Sequence, residues 1–120
     1  MKTTMLLTSW QQTAHELAVE KGWWTDPATG KPVNAEAKIP EAIALIHSEL
    51  SEALDEFRNN RMATYTGENG KPEGFAIELA DTVIRIMDLC GALDIDLEAA
   101  VALKHEYNKT RPYRHGNKRI

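Results

Sequence analysis

The stretch IPEAIALIHSELSEALDEF, residues 39–57, decides the fold of this 120-residue chain. Its apolar residues recur every three or four positions, which is the period of an α-helix. They form one stripe along the predicted helix: Ile39, Ile43, Ile46, Leu50, Leu54 and Phe57. Pro40 suits a helix start, because the N–H that proline lacks has no partner there. We therefore predict a helix over residues 39–60, packed through this stripe.

The same stretch crowds three acidic side chains onto one flank of the stripe. Glu49, Glu52 and Glu56 are spaced three and four residues apart, with no lysine among them. Like charges at these spacings cost a few tenths of a kcal/mol each in an isolated helix. A solvated acidic face is the simpler interpretation of such a triplet. Here the flank continues an apolar surface through Ala42 and Leu45, so partial burial and a bound cation are the alternative.

Working outward, the chain shows three more segments with helical periodicity and no convincing strand alternation. We predict helices over residues 9–21, 73–92 and 96–111. The expected start and stop signals are Thr8 or Ser9, Gly22, Gly91, Asp94 or Asp96, and Pro112. Loops rich in glycine and proline join the helices at residues 22–38 and 67–74. The pattern predicts one all-α domain spanning residues 1–120, with a four-helix bundle-like protomer.

The third predicted helix repeats the acidic spacing of the second. Its apolar stripe consists of Phe75, Leu79, Val83, Ile86, Cys90 and Leu93. Glu78 and Asp81 are placed beside that stripe as Glu49 and Glu52 are placed beside theirs. If the two helices pack together, four carboxylates converge, and their repulsion requires a cation. Because the site offers only oxygen ligands, we expect a hard ion such as Mg²⁺ or Mn²⁺.

The third helix also carries apolar residues away from its inward stripe. Ile77 and Ile84 project from the far side, so the helix is apolar nearly all round. Such a helix needs burial beyond its own small bundle. We therefore predict a homo-oligomer, either a dimer or a tetramer.

Charge is unevenly distributed along the chain. Residues 1–103 carry 8 Lys/Arg against 17 Asp/Glu, whereas residues 104–120 carry 6 against 1. A basic tail of this kind can bind nucleic acid, but folding back onto the acidic body or onto a bound phosphate is the preferred interpretation. The single cysteine, Cys90, lies among apolar residues and is expected to be a core thiol. With neither a secretory h-region nor a membrane-length apolar run, we expect a cytoplasmic protein without a membrane partner.

Two motifs together resemble one protein family. Glu49-x-x-Glu52, followed by Glu78-x-x-Asp81 on the next helix, resembles the ExxE…ExxD pattern of the MazG-like all-α nucleoside triphosphate pyrophosphohydrolases. The segment KHEYNKTRPYRHGNK, residues 104–118, is similar to the K-x-x-x-N-x-x-R segment of that family. The resemblance covers about residues 45–115. It implies hydrolysis of a ribo- or deoxynucleoside triphosphate between the α and β phosphates, giving the monophosphate and pyrophosphate.

The resemblance also implies roles for individual residues. The metal ligands would be Glu49, Glu52, Glu78 and Asp81, with Mg²⁺ as the cofactor and Mn²⁺ as a possible substitute. Glu49 and Glu52 would position the attacking water. The substrate phosphates would be bound by Lys104, Asn108 and Arg111, followed by a closing tail of Tyr113, Arg114, His115 and Lys118. In the simpler interpretation, basic residues at this helix end only complement the helix dipole.

Base recognition is less clearly indicated. Trp23 and Trp24 stand at the edge of the first loop, where an aromatic platform could stack on a base. Packing in the core or in an interface is an equal alternative for each of them and for Trp10. His15 and His47 have no partner at metal-ligand spacing, so we expect surface or internally satisfied side chains.

Two other classes of protein share parts of this pattern. A ferritin-like di-iron bundle requires Glu-x-x-His on two helices, and the corresponding positions here hold Asp55 and Ile84. That class is therefore disfavoured. A non-catalytic helical interaction module, with its acidic faces solvated, remains the alternative to the enzyme.

Overall fold

A computed structural model of the chain describes residues 6–120, and within them the fold is all-α, as predicted. The helices are α1 (Leu7–Glu20), α2 (Ala35–Arg58), α3 (Phe75–Ala92), α4 (Leu97–Lys109) and the short α5 (Arg114–Asn117). A small hairpin of β1 (Tyr65–Thr66) and β2 (Pro72–Glu73), with a 3₁₀ turn at Glu68–Gly70 between its strands, joins α2 to α3. The hairpin was missed because two-residue strands are too short to show alternation.

The start of α2 differs from the prediction. The helix begins at Ala35, several residues before the predicted start at residue 39, and Pro40 lies inside it. Asn34 is the reason, because its side chain accepts a hydrogen bond from the backbone N–H of Ala37 at 3.2 Å. This N-cap satisfies a first-turn donor and nucleates the helix earlier.

The start of α1 was also predicted too late. The helix begins at Leu7, so neither Thr8 nor Ser9 is its N-cap. Thr8 has a different role: its hydroxyl donates to a carboxylate oxygen of Glu98 at 2.9 Å and thereby ties α1 to α4. The predicted stop at Gly22 is confirmed, since this glycine has a φ of 88° just beyond the helix end.

Two glycines position α3. Gly74 precedes the helix with a φ of 120°, and a Cβ there would lie 2.6 Å from the carbonyl oxygen of Ala63. Gly91 was predicted to end the helix, but it lies inside, because the helix continues to Ala92. A Cβ on Gly91 would lie 2.6 Å from Cβ of His15. Gly91 therefore lies where α1 approaches α3 closely, and it does not terminate the helix.

The fourth helix is shorter than predicted. Asp96 is its N-cap, accepting from the N–H of Ala99 at 3.0 Å, which confirms one of the two predicted caps. The helix ends at Lys109, so Arg111 lies just beyond it. Arg111 is therefore presented from the turn before Pro112 and not from a helical face.

The core is small and centres on α3, which packs against both α2 and α1, while α4 packs beside α1. Among residues 6–120, the buried residues other than Gly74 are Ile46, Ala53, Glu78, Thr82, Met87, Leu89 and Cys90. The predicted core thiol is thus confirmed, and burial raises the pKa of Cys90.

The predicted apolar stripe of α2 is mostly exposed within one chain, whereas four of the six residues in the stripe of α3 are buried or half-buried. On α2, the exposed fractions of Ile43, Leu50, Leu54 and Phe57 range from 42% to 58%, and Leu79 and Val83 of α3 are similarly exposed. The face of α2 that is turned towards α3 carries Ile46 of the predicted stripe together with Glu49 and Ala53, which lie outside the stripe. A small residue such as Ala53 permits close helix approach, and this rotation brings the glutamates into the helix pair.

Candidate metal centre

Three of the predicted ligands converge between α2 and α3. One carboxylate oxygen from each of Glu49, Glu52 and Glu78 lies within 4.8 Å of the other two. Glu49 and Glu52 are neighbours on α2 at i,i+3 spacing, and Glu78 lies in the first turn of α3. The packing of these two helices therefore brings together side chains that are distant in the sequence.

Asp81 lies outside this group of three, at its edge. Burial raises the pKa of Asp81, and the negative charge of Glu49 raises it further, while Lys71 and Arg85 act in the opposite direction. Asp81 therefore lies close enough to Glu49 for their negative charges to interact. The four predicted ligands are therefore arranged as three close carboxylates and one flanking carboxylate.

Glu78 is the most unusual residue of the group. It is only 9% exposed, and among residues 6–120 its Oε2 has no hydrogen-bond partner. Burial raises its pKa to about 7, helped by a side-chain hydrogen bond with Glu52 and by the charges of Glu52, Asp81 and Glu49. Leaving a buried carboxylate oxygen unsatisfied is costly. A cation between the helices would satisfy it.

Glu49 is held by a residue that the sequence analysis did not identify. Arg85 of α3 donates from Nε to Oε1 of Glu49 at 2.9 Å. The sequence could have identified Arg85, because it follows Asp81 by one turn and side chains at i,i+4 spacing share a helix face. The arginine bridges α3 to α2 beside the carboxylates.

Glu56, the third crowded glutamate of α2, is turned away from this cluster. Its Oε2 accepts from the hydroxyl of Tyr65 at 3.4 Å, and its Oε1 lies 3.7 Å from Nη1 of Arg61. Glu56 therefore connects the hairpin to α2. Its position close to Glu49 and Glu52 in the sequence thus has a structural explanation that does not involve the carboxylate cluster.

The predicted phosphate-binding residues lie on a different part of the molecule. Lys104 and Asn108 line a shallow cavity of about 390 Å³ on α4. Nζ of Lys104 lies 4.7 Å from the ring centroid of Tyr107, and the guanidinium carbon of Arg111 lies 5.9 Å from it. Among residues 6–120, no hydrogen bond or ion pair joins these residues to the three carboxylates. Within one chain, the helix α4 that carries Lys104 and Asn108 packs beside α1, whereas the three carboxylates lie between α2 and α3.

The aromatic residues of the first loop are partly accounted for. Oδ1 of Asp88 accepts from Nε1 of Trp24 at 2.9 Å and from Nδ1 of His15 at 2.9 Å. Trp24 is therefore anchored to α3, and His15 is internally satisfied, which is one of its two predicted states. Trp23 and Trp10 remain exposed. Asp88 was missed, because nothing in the sequence marks it as their partner.

Comparison of the chain with models of known protein families, with curated proteins and with solved structures finds no match. The candidate ligands of this site are carboxylate oxygens, which suit Mg²⁺ or Mn²⁺. Within residues 6–120, no helix combines the length and apolar character needed to cross a membrane.

Proposed function

We propose that the chain is a Mg²⁺-dependent nucleoside triphosphate pyrophosphohydrolase. The observation that carries the proposal is the buried, unpartnered Oε2 of Glu78 within a group of three carboxylates that lie within 4.8 Å of one another. An acidic cluster on a solvated surface has no need to bury such an atom. The substrate class is what the resemblance of the ExxE…ExxD pattern and the basic C-terminal segment to the MazG-like family implies.

The four carboxylates would have different roles in binding the metal. Glu49, Glu52 and Glu78 would ligate it, and Asp81 would ligate from the edge or bind a metal-bound water. When bound, Mg²⁺ neutralises and orients the triphosphate and lowers the pKa of a coordinated water. The partly buried setting strengthens these electrostatic effects, because fewer water molecules screen the charges.

Glu52 is the residue proposed to orient the attacking water. It is exposed, and among residues 6–120 no basic side chain pairs with it, whereas Glu49 is paired with Arg85. A carboxylate in this position can accept a proton from water as the oxygen attacks the α-phosphorus. The bond from that phosphorus to the oxygen bridging it to the β-phosphorus breaks, pyrophosphate leaves with the bonding electrons, and the nucleoside monophosphate remains.

We further propose that the protein is a homo-oligomer built on the exposed apolar flank of the α2–α3 pair. The flank consists of Ile43, Leu50, Leu54, Phe57, Leu79 and Val83. The accessible surface of the chain is 9555 Å², against about 6,500 Å² for a compact monomer of this mass. The excess is about 3,000 Å² per chain, or about 6,000 Å² for two chains, which is at the upper end of permanent homodimer interfaces and favours a second copy as the occupant. The same flank would serve a non-catalytic interaction module, so activity decides between the two functions.

The test of function is product analysis across a panel of ribo- and deoxynucleoside triphosphates. With Mg²⁺, at least one of them should yield its monophosphate and pyrophosphate, and EDTA should abolish the reaction. Glu52→Gln should lower kcat by at least about a hundredfold, as removal of a group that accepts a proton in catalysis does.

Glu20→Gln is the matched control, because Glu20 is an exposed glutamate at the end of α1. It should retain full activity. Release of orthophosphate and a diphosphate would show that a different bond is broken. Absence of any turnover in the panel, in a protein that does associate, would favour the interaction module.

A further inference from the structure

A cationic side chain already lies beside the carboxylate cluster. Arg85 follows Glu78 by two turns on α3 and pairs with Glu49 at 2.9 Å. The Glu49 side chain is only 12% exposed, whereas that of Arg85 is 43% exposed. Arg85 thus reaches from the solvent side and balances the charge of a largely buried carboxylate.

The guanidinium of Arg85 has donors to spare. A guanidinium carries five N–H donors in a planar fork, and the bond from Nε to Glu49 is the one found for Arg85 within residues 6–120. The terminal nitrogens therefore remain available at the rim of the cluster. This fork matches the geometry of phosphate oxygens and forms bidentate hydrogen bonds with them.

Entry of a divalent cation would weaken the pair between Arg85 and Glu49. The unpartnered Oε2 of Glu78 indicates that the cation belongs deep between the helices, close to Glu49 and Glu52. Two positive charges would then compete for Glu49, and their repulsion favours movement of the more exposed one. Arg85 is the group that can move, because its side chain is flexible and partly solvated.

We propose that Arg85 is a polyphosphate-binding residue, which exchanges Glu49 for the phosphate oxygens of an incoming metal–polyphosphate complex. This inference rests on the proposed function, because it requires a divalent cation at Glu49, Glu52 and Glu78. Arg85 then provides a positively charged side chain for phosphate binding from within the α2–α3 pair. Lys104 and Arg111, which were expected in that role, instead lie against Tyr107 on and after α4.

The test measures two affinities by calorimetry, one for Mg²⁺ alone and one for inorganic tripolyphosphate in saturating Mg²⁺. Arg85→Gln should bind Mg²⁺ about three- to tenfold more tightly, because a competing cation has been removed. The same variant should bind tripolyphosphate about tenfold or more weakly, because a charge-assisted bidentate contact has been lost. Arg85→Lys should recover part of the tripolyphosphate affinity.

Arg58→Gln is the matched control, since Arg58 is an exposed arginine in the last turn of α2. It removes the same charge and should leave both affinities unchanged. An Arg85→Gln protein with unaltered tripolyphosphate affinity, or with both affinities weakened in parallel, would overturn the inference while leaving the metal site intact. If the unmodified protein binds no Mg²⁺ in the same titration, the proposed function itself fails.

Discussion

At the residue scale, the carboxylate group depends on how differently its members are surrounded. Glu78 is buried with an unpartnered oxygen, Glu49 is neutralised by Arg85, and Glu52 is exposed. Residue types and spacing predicted the convergence of Glu49, Glu52 and Glu78, whereas the fourth predicted carboxylate, Asp81, lies at the edge of this group. They did not predict these differences, because burial and pairing depend on the rotation of α2 against α3 and on a residue two turns away from Glu78.

The raised pKa of Glu78 has a consequence for stability in the absence of metal. Because the pKa is about 7 in the folded chain and 4.5 for an ordinary glutamate, the folded state holds a proton between these values that the unfolded state has released. The free energy of unfolding in EDTA should therefore fall as the pH rises from about 4.5 to about 7. Urea denaturation at several pH values measures this dependence.

The variant Glu78→Gln isolates the contribution of that carboxyl. Its unfolding free energy should depend less on pH over the same interval, because the group that takes up the proton is gone. Glu20→Gln should retain the original dependence. A Glu78→Gln profile parallel to that of the unmodified protein would show that Glu78 does not titrate abnormally.

At the scale of elements, the sequence predicted the long helices and misplaced several of their ends and faces. The period of apolar residues defines the existence of α2, but its start depends on Asn34, and its packed face is not the most apolar one. The apolar stripe of α2 is exposed within one chain, and we expect its burial only in the proposed assembly. The face turned inward within one chain depends on where small residues such as Ala53 allow close approach.

Gly91 tests the close contact between α1 and α3. In an exposed helix position, replacing glycine by alanine stabilises by about 0.8–1 kcal/mol. Here the added Cβ would lie 2.6 Å from Cβ of His15, and overpacking costs about 1–3 kcal/mol. Gly91→Ala should therefore lower the free energy of unfolding, as measured by urea denaturation.

The exposed Ala80 of α3 provides the calibration for this experiment. Ala80→Gly should show the ordinary propensity cost of glycine in the same helix, about 1 kcal/mol. If Gly91→Ala instead stabilises the protein by a similar amount, α1 does not pack on Gly91 as the structure has it, and the glycine serves no packing purpose.

At the scale of the whole molecule, one chain is less compact, and buries fewer of its apolar side chains, than we expect from its length and sequence. The radius of gyration is 17.3 Å, whereas a compact chain of this length is expected near 14 Å. The buried apolar side chains are few, while many large ones are exposed on α2, α3 and α4. The oligomer was predicted from Ile77 and Ile84. Part of that side of α3 is covered by α1 through His15, which pairs with Asp88. Ile77 is half-buried, whereas Ile84 remains 46% exposed. The larger exposed apolar surface, and the one proposed for association, is the flank around Leu54.

If the protein associates through this flank, a substitution in the flank should change its oligomeric state, and a substitution at another exposed apolar position should not. Light scattering at micromolar concentration should give a mass that is a multiple of 13.5 kDa. Leu54→Lys should shift the protein towards monomers, because an ammonium group cannot be buried without a partner in an apolar interface. It should also lower the melting temperature, since folding and association are linked in such chains. Leu17→Lys on α1 is the control: Leu17 is 54% exposed, close to the 56% of Leu54, and its replacement should leave the mass unchanged. A monomeric unmodified protein would refute the assembly, and a Leu54→Lys protein of unchanged mass would place the interface on another face.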